Sequence, residues 1–308
     1  MNKIYLVLLV LVLLVGGLGI IIFSSPSPRL IPTPTPMSGF SFPSAETMVL
    51  LAAGDIADCE TQGDEQTAEI LALIPEALIV TLGDNNYSGT TASEYKRCFG
   101  PSWGRFMDRL RPAQGNHDIG AGYYEYFGES AGKQGKGYYS FDLGSWHLIA
   151  LNSNCPGSGG CSQNSDQYKW LVDDLEKNNS HCTLAYWHHP LFSSGNVHGN
   201  DPRVRDFWEL LYTYGVELVL NGHEHLYERF SAQTPDGEPD PERGIVEFIV
   251  GTGGKSLYTF ASPMPNSVVR NNSTFGVLKL MFAPSSYTWE FIPVDLASFS
   301  DSGRGNCH

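Results

Sequence analysis

The sequence has few charges, and few of these are positive. Charged residues make up 17% of the 308 positions, and 19 Lys and Arg stand against 33 Asp and Glu, for a formal net charge of −14. A protein that holds nucleic acid or anionic lipid by broad electrostatic attraction needs the opposite balance. No nucleic-acid binding is therefore expected, and any phosphate that the protein handles must meet a local positive charge.

Two common motifs are also missing. None of the six cysteines forms a Cys-x-x-Cys pair, so zinc-finger and thioredoxin-like interpretations have no support. The segment Gly251-Thr252-Gly253-Gly254-Lys255-Ser256 resembles the end of a Walker loop, but Ile249 stands where that loop requires its first glycine. The segment is instead predicted to be a tight turn beside a site.

The amino terminus carries a long apolar segment. Residues 4–23 form an uncharged stretch of 20 residues, which as a helix rises about 30 Å and matches the hydrocarbon core of a bilayer. Lys3 favours keeping the amino terminus in the cytoplasm. A cleaved signal peptide is the alternative, although its apolar region is usually shorter. We expect residues 1–23 to be a transmembrane signal-anchor or a signal peptide, and the rest to be extracellular or at the cell surface.

Residues 24–47 contain six prolines among many Ser and Thr, a composition typical of an extended linker. They leave residues 48–308 as one folded domain in an environment where cysteines oxidise. Six cysteines allow 15 pairings. Only Cys155–Cys161 follows from proximity, and the preferred set also joins Cys59 to Cys98 and Cys182 to Cys307.

Short apolar runs recur along this domain and predict eight strands. Several runs alternate with helical spacing, such as Tyr168, Leu171 and Leu175, or Val204, Phe207 and Leu211. This alternation is typical of a layered α/β fold, here two packed sheets flanked by helices, with the last three runs as antiparallel additions. The runs are Met48–Ala53, Ala77–Leu82, Trp146–Leu151, Thr183–Trp187, Val216–Leu220, Val246–Val250, Phe275–Phe282 and Tyr287–Val294.

Polar side chains directly follow several of these runs. In open α/β sheets, ligands bind at the edge where the strands end, so these side chains are candidates for a binding site. The set combines carboxylates, a phenol, a carboxamide and imidazoles, which suits harder or borderline metal ions. It has too many donors for one tetrahedral ion, so we expect two ions bridged by the oxygens of Asp84. The candidate residues are Asp55, Asp84, Tyr87, Asn116, His188, His223 and His225.

The ordered motifs resemble those of the calcineurin-like metallophosphoesterases and, within them, most of all the single-domain purple acid phosphatases. The resemblance covers residues 48–294 and includes Gly222-His223-Glu224-His225-Leu226-Tyr227-Glu228-Arg229. It implies an αββα sandwich with two mixed sheets and a dinuclear centre. The other motifs are Gly54-Asp55, Gly83-Asp84-x-x-Tyr87, Gly115-Asn116-His117 and His188-x-Pro190.

The resemblance also implies how the ligands divide. One metal would take Asp55, Asp84, Tyr87 and His225, and the other Asp84, Asn116, His188 and His223. Ala57 stands where many members of the superfamily have another histidine ligand, and Tyr87 replaces it. A phenol gives up its proton readily only to a strongly acidic ion, so we expect Fe(III) at the first site and a divalent ion (Zn, Fe or Mn) at the second.

Two further histidines, His117 and His198, are expected to be catalytic, contacting phosphate oxygens or protonating the leaving group. The implied reaction is hydrolysis of a small phosphomonoester by a metal-bound hydroxide. A phosphodiesterase or nucleotide pyrophosphatase on the same site is the alternative, because substrate choice depends on the loops around it. A surface-binding module without activity is a third. His147 and His181 are predicted to be structural, and His189 either to support the ligands from behind or to be structural.

Overall fold

The computed structural model describes residues 47–295 and 299–308, which contain two β-sheets and five α-helices. The six-stranded sheet has the order β13-β12-β11-β1-β2-β3, and the seven-stranded sheet the order β10-β8-β9-β7-β6-β5-β4. The strands are β1 (Met48–Ala53), β2 (Leu78–Leu82), β3 (Leu110–Ala113), β4 (Tyr139–Leu143), β5 (Trp146–Ala150), β6 (Cys182–Tyr186), β7 (Leu218–Asn221), β8 (Tyr227–Phe230), β9 (Val246–Val250), β10 (Ser267–Asn271), β11 (Gly276–Ala283), β12 (Ser286–Pro293) and β13 (Ser302–Asn306).

Both sheets are mixed. In the first, β1, β2 and β3 run parallel, and β11 to β13 extend the sheet antiparallel beside β1. In the second, β5, β6, β7 and β9 run parallel, and β4, β8 and β10 are antiparallel neighbours. The parallel strands of each sheet therefore end at a common edge.

The five described helices are α1 (Gly63–Ala72), α2 (Ala92–Cys98), α3 (Ala121–Phe127), α4 (Asp166–Lys177) and α5 (Arg205–Thr213). Four of them, α1, α2, α4 and α5, connect neighbouring parallel strands, whereas α3 lies between β3 of one sheet and β4 of the other. The Ser165 side chain accepts a hydrogen bond from the Tyr168 N–H and so caps α4. A 3₁₀ turn at Pro202–Val204, opened by Asp201, precedes α5. Both helices with predicted spacing are thus confirmed.

The central strands β5, β6 and β7 of the second sheet are buried on both faces. In β7, Leu218 and Leu220 belong to the apolar core between the sheets, whereas Val219 packs with Leu171 of α4 and Leu211 of α5. Successive side chains of a strand point to opposite faces, so one strand serves both layers. The αββα sandwich implied by the motifs is the fold observed.

All eight predicted strands are present: β1 and β9 have the predicted ends, and the ends of the others differ by at most two residues. The weak runs β3, β4, β8, β10 and β13 were not predicted because they are short or polar; β13, for instance, reads Ser-Gly-Arg-Gly-Asn. The structure pairs Cys59 with Cys98, Cys155 with Cys161, and Cys182 with Cys307, which confirms the preferred pairing.

The predicted segment 1–23 and linker residues 24–46 lie outside the described residues. Within residues 47–295 and 299–308, no helix is both long and apolar enough to cross a bilayer. The membrane or signal role of the amino terminus remains a prediction.

His147 is a structural histidine, as predicted. Its Nδ1 lies 2.8 Å from Asp142 Oδ1 and its Nε2 2.9 Å from Asp174 Oδ2, so it joins β4 to α4. The cluster lies at the amino-terminal end of β5, opposite the edge that carries the candidate ligands. Burial disfavours its charged form, but the two carboxylates outweigh burial and raise the pKa of His147.

This arrangement predicts a pH-dependent contribution to stability. The stabilisation is fully present below the unfolded pKa of 6.5 and is lost as the pH rises through the higher folded pKa. We expect His147→Gln to lower the free energy of unfolding by about 1 kcal/mol at pH 6, a small figure because Asp142 is exposed, and by much less at pH 9. Urea unfolding at the two pH values measures it. His181→Gln, in the same surface cavity as Lys177 and His147, is the control, and an equal pH dependence there would contradict the assignment.

Candidate metal centre

The candidate ligands lie in loops at the carboxyl ends of β1, β2, β3, β6 and β7. Backbone hydrogen bonds join these loops: the Asp55 N–H donates to the Gly83 carbonyl at 3.0 Å, and the Gly222 N–H donates to the His188 carbonyl at 3.0 Å. Across the sheets, the Gly54 N–H after β1 donates to the Val250 carbonyl of β9 at 2.8 Å. The loops of both sheets are therefore held against each other, and the predicted convergence at one edge is observed.

Three of the candidate ligands have a left-handed backbone conformation. The φ angles are 59° at Asp55, 49° at Asp84 and 72° at His223. Such conformations are unfavourable for residues with a side chain, by roughly 1–3 kcal/mol each, and persist where the surroundings impose them. Among the described residues with a side chain, only Asn266 shares this conformation. Backbone strain is thus concentrated at this edge.

The glycines that precede the ligands leave room for carboxylates. A Cβ at Gly115 would lie 2.1 Å from Asp84 Oδ1, and a Cβ at Gly222 would lie 2.7 Å from Asp55 Oδ2. Both distances are too short for any side chain. The pairing of glycine with a polar residue in the motifs therefore has a steric reason.

Tyr87 is at the centre of the first group of donors. Its hydroxyl oxygen lies 2.7 Å from Asp55 Oδ1, 3.0 Å from Asp84 Oδ2 and 2.9 Å from His225 Nε2. His225 Nε2 is also 3.3 Å from Asp55 Oδ1. These four residues are the ones expected to share the first metal ion.

His188 is at the centre of the second group. Its Nε2 lies 3.1 Å from Asn116 Oδ1, 3.1 Å from His223 Nδ1 and 3.3 Å from Asp84 Oδ2. The four residues expected around the second ion are thus also together. Each group contains donors from both sheets, since the loops after β6 and β7 supply the histidines and the loops after β1, β2 and β3 supply the other donors.

Asp84 belongs to both groups through a single oxygen. Its Oδ2 faces Tyr87 and His188, whereas its Oδ1 accepts a hydrogen bond from the His117 N–H at 2.7 Å. Asp55 has the same division, because its Oδ2 accepts from the His223 N–H at 2.8 Å. Asp84 Oδ2 is thus the oxygen that faces both groups of donors, and a bridge between two ions through the oxygens of Asp84 stays a prediction.

Two histidines present a defined nitrogen to the centre. His188 Nδ1 lies 2.8 Å from the Leu82 carbonyl and His225 Nδ1 lies 2.8 Å from the Ser256 carbonyl. A carbonyl only accepts, so Nδ1 carries a proton in both rings and Nε2 faces the other donors. Metal-ligating histidines in proteins are commonly oriented in this way.

The charges of the centre are strongly coupled. Burial alone would raise the pKa of Asp84, but attraction to His188 outweighs it and holds that pKa below its usual range. The same attraction opposes burial at His188 and raises its pKa to about 9. Burial, followed by the charges of Asp55 and Asp84, raises the pKa of the Tyr87 phenol well above its usual value. Asp84 thus stays ionised and favours positive charge beside it.

The donor set fits a pair of metal ions. Oxygen and nitrogen donors converge on two points that share Asp84 Oδ2, with two ring nitrogens fixed toward them. Asp55, Asp84 and His188 also form one of the groups whose ligand atoms all lie within 4.8 Å of one another. This chemistry suits borderline or hard ions.

His189 stands behind the second group. Its Nδ1 lies 2.7 Å from Ser153 Oγ, its ring centroid is 4.3 Å from that of His223, and burial followed by the charge of His188 lowers the pKa of His189 to about 3. A neutral ring held by Ser153 agrees with the supporting role expected from the sequence.

Asp118 is a supporting residue that the sequence did not identify. It is buried and accepts hydrogen bonds from the Asn85 N–H at 3.0 Å, the Gly115 N–H at 2.8 Å and the Tyr95 hydroxyl at 2.6 Å. It thereby connects the loops of Asp84 and Asn116. The sequence signal that could have identified Asp118 is its position directly after Asn116-His117.

The glycine-rich turn at residues 251–256 lies beside the site, as predicted. The Lys255 N–H donates to the Asp55 carbonyl at 2.9 Å, and Ser256 supplies the carbonyl that fixes His225. Tyr258 follows and stacks on His225, with ring centroids 3.9 Å apart. No spacing in the sequence relates these residues to His225, so their contribution could not be anticipated.

The two histidines expected to be catalytic lie on the exposed side of the centre. The His117 ring is 4.5 Å from that of Tyr87, and the His198 ring stacks on that of His223 at 4.0 Å and 24°. One histidine thus lies beside each group of donors. The structure brings all nine predicted site residues into one region.

Comparison with known proteins gives consistent similarities. The model of the calcineurin-like phosphoesterase family matches residues 48–227. Purple acid phosphatase 15 of Arabidopsis thaliana is 31% identical over 218 residues, which cover 58% of this chain and 40% of that protein. Purple acid phosphatase 1 of Ipomoea batatas is 30% identical over 235 residues, covering 64% of this chain and 49% of that protein. The chain thus spans less than half the length of these relatives.

Solved structures share the fold. A purple acid phosphatase from yellow lupin (Lupinus luteus) seeds superposes with a TM-score of 0.70 at 18% identity, covering 84% of this chain and 54% of that one. GAP50, described as the anchor in the inner membrane complex of Plasmodium, gives a TM-score of 0.64 at 14% identity over 85% of this chain and 89% of that one.

Proposed function

Because the chain belongs to the calcineurin-like phosphoesterase family, we propose that it is a metal-dependent phosphatase that hydrolyses phosphomonoesters at a dinuclear centre. The observation that carries the proposal is the position of Asp84 Oδ2 between two complete groups of donors. The similarity to purple acid phosphatases supports a monoester substrate.

The residues would hold two ions in unlike environments. Asp55, Asp84, Tyr87 and His225 offer two carboxylates and a phenol, which favours Fe(III), whereas the second group is mostly neutral apart from Asp84 and favours Zn, Fe or Mn in the divalent state. When bound, such a pair neutralises phosphate charge and acidifies water. The protein contributes by fixing Nε2 of His188 and of His225 toward the ions.

The exposed histidines would act on the substrate. His117 lies against Tyr87 of the first donor group, and His198 lies against His223 of the second. An imidazole there can donate a hydrogen bond to a phosphate oxygen or a proton to the departing alcohol. The phosphate of a monoester has enough unesterified oxygens to accept from both imidazole rings, whereas the phosphate of a diester has one unesterified oxygen fewer. The arrangement therefore favours monoesters.

The substrate preference can be measured directly. We expect kcat/KM for p-nitrophenyl phosphate to exceed that for its bis-ester by at least about tenfold, which is about 1.4 kcal/mol in activation free energy. Asp84→Asn protein prepared in parallel is the control for contaminating phosphatases. The reverse preference would support the alternative, a phosphodiesterase or nucleotide pyrophosphatase. Protein that holds two ions but cleaves neither ester would instead support a non-catalytic binding role.

We also place the domain outside the cytoplasm, attached to the membrane only through residues 1–23 or released from it. The three disulfides support this location, since such bonds persist in oxidising compartments. Thiol labelling of protein isolated under denaturing conditions without reductant tests the proposal. Six free thiols would contradict it.

A further inference from the structure

A fully buried glutamate stands between two of the candidate ligands. Glu224 follows His223 and precedes His225, yet its side chain turns away from the donors and lies under the loop at residues 191–199. Its Oε1 accepts hydrogen bonds from the His198 N–H at 2.6 Å and the Gly199 N–H at 2.5 Å. Two N–H groups on one carboxylate oxygen form a strong, directional attachment.

The loop is shaped to receive this carboxylate. A Cβ at Gly195 would lie 2.2 Å from Glu224 Oε2, so only glycine allows the chain to pass so close. Other contacts hold the beginning of the loop: the Ser194 N–H donates to Glu228 at 2.8 Å, and the Asn196 N–H donates to the Thr259 carbonyl at 3.1 Å. Glu224 holds the part that carries His198.

The His198 ring is exposed and packs against the ring of His223, with centroids 4.0 Å apart. Its direction therefore depends on where the backbone of residue 198 is fixed. Because Glu224 is next to His223, one short segment sets both the ligand ring and the backbone of the histidine stacked on it. A displacement of about 1 Å at a reacting group can reduce the rate by about 100-fold.

We propose that Glu224 is a positioning residue that holds His198 over the second group of donors, so that its imidazole meets the phosphate or the leaving group. The proposal rests on the proposed phosphatase function. Glu224 acts through His198 and touches neither substrate nor metal. This role requires an oxygen that accepts hydrogen bonds from the His198 and Gly199 N–H groups, and it does not require a negative charge.

Three variants separate this role from general support of the fold. Glu224→Met keeps the length of the side chain but removes both acceptors, and kcat for p-nitrophenyl phosphate should fall by about 10- to 100-fold. Glu224→Gln keeps one acceptor oxygen and should restore most of the activity. Gly195→Ala places a methyl group against the carboxylate and should reduce kcat in the same direction. All three should retain the metal content of the wild type.

A double-mutant cycle tests the connection to His198. Once His198→Ala has removed the imidazole, adding Glu224→Met should cause little further loss, since both changes remove the same contribution. Equal losses in the two backgrounds, or loss of metal from Glu224→Met, would overturn the proposal, because Glu224 would then act through the ligands His223 and His225.

Hydrogen exchange provides a readout that does not depend on activity. Glu224→Met should accelerate amide exchange in a peptide covering residues 195–201 and leave exchange in β6 unchanged. Glu228→Gln, at the other end of the loop, is the matched control, and a similar loss of kcat there would contradict a specific role of Glu224. If the wild type hydrolyses no phosphate ester, the proposed function fails, whereas unchanged exchange in Glu224→Met refutes the positioning role alone.

Discussion

Asp84→Asn is expected to remove both metal ions together with the phosphatase activity. The Oδ2 atom that faces Tyr87 and His188 belongs to both groups of donors, so one substitution weakens both sites. A carboxamide also lacks the negative charge that two adjacent cations require. The loss of kcat/KM should exceed about 100-fold, the upper end of the effect of replacing residues that only orient ligands.

Elemental analysis of the purified variant, together with kinetics for p-nitrophenyl phosphate, measures this effect. Asp64→Asn is a suitable control, since Asp64 is another buried carboxylate, bonded to the Ser102 hydroxyl, that belongs to neither group of donors. If Asp84→Asn lost only one ion and kept the other at full occupancy, the shared position assigned to this carboxylate would be incorrect.

Tyr87→Phe is expected to abolish visible absorption by the metal-loaded protein. The Tyr87 hydroxyl lies within 3.0 Å of Asp55, Asp84 and His225, so it is placed to ligate the same ion as they do. Phenolate bound to ferric iron absorbs visible light, and phenylalanine cannot supply that ligand. The variant should keep the divalent ion, because the second group does not include Tyr87.

A visible spectrum and iron analysis of wild type and variant test the assignment. Tyr258→Phe is the matched control, because Tyr258 stacks on His225 but does not belong to the donor groups. The Tyr258→Phe protein should keep its visible absorption. A wild type that is colourless, free of iron and fully active would refute Fe(III), but it would leave the two groups of donors in place. Retention of colour in Tyr87→Phe would exclude Tyr87 as the source.

The sequence was sufficient where a signal is local. Apolar runs such as Met48–Ala53 predicted strands because burial on a sheet selects continuous apolar residues. Polar residues directly after those runs predicted the site because parallel strands end at one edge. Both signals remain readable without knowledge of the partner strands, which is why they identified the core of the fold and the candidate ligands.

What could not be predicted depends on distant partners. β13 contains alternating glycines and polar residues, and becomes a strand because it pairs with β12. The hydrogen bond from the His117 N–H to Asp84 Oδ1, which orients this carboxylate, joins residues 33 positions apart. The role of Glu224 likewise requires the loop that passes over it, and its own motif contains no indication of that loop.

The mixed origin of the two groups of donors has a consequence for the apolar interior. Since each group combines side chains from both sheets, the distance across each group depends on the separation of the sheets, which the apolar core between them sets. Residues such as Leu82 and Leu220, which touch no substrate, thereby act as spacers for the chemistry above them. Bound ions would in turn cross-link the two sheets, as a covalent bridge does, so the two sheets would unfold together.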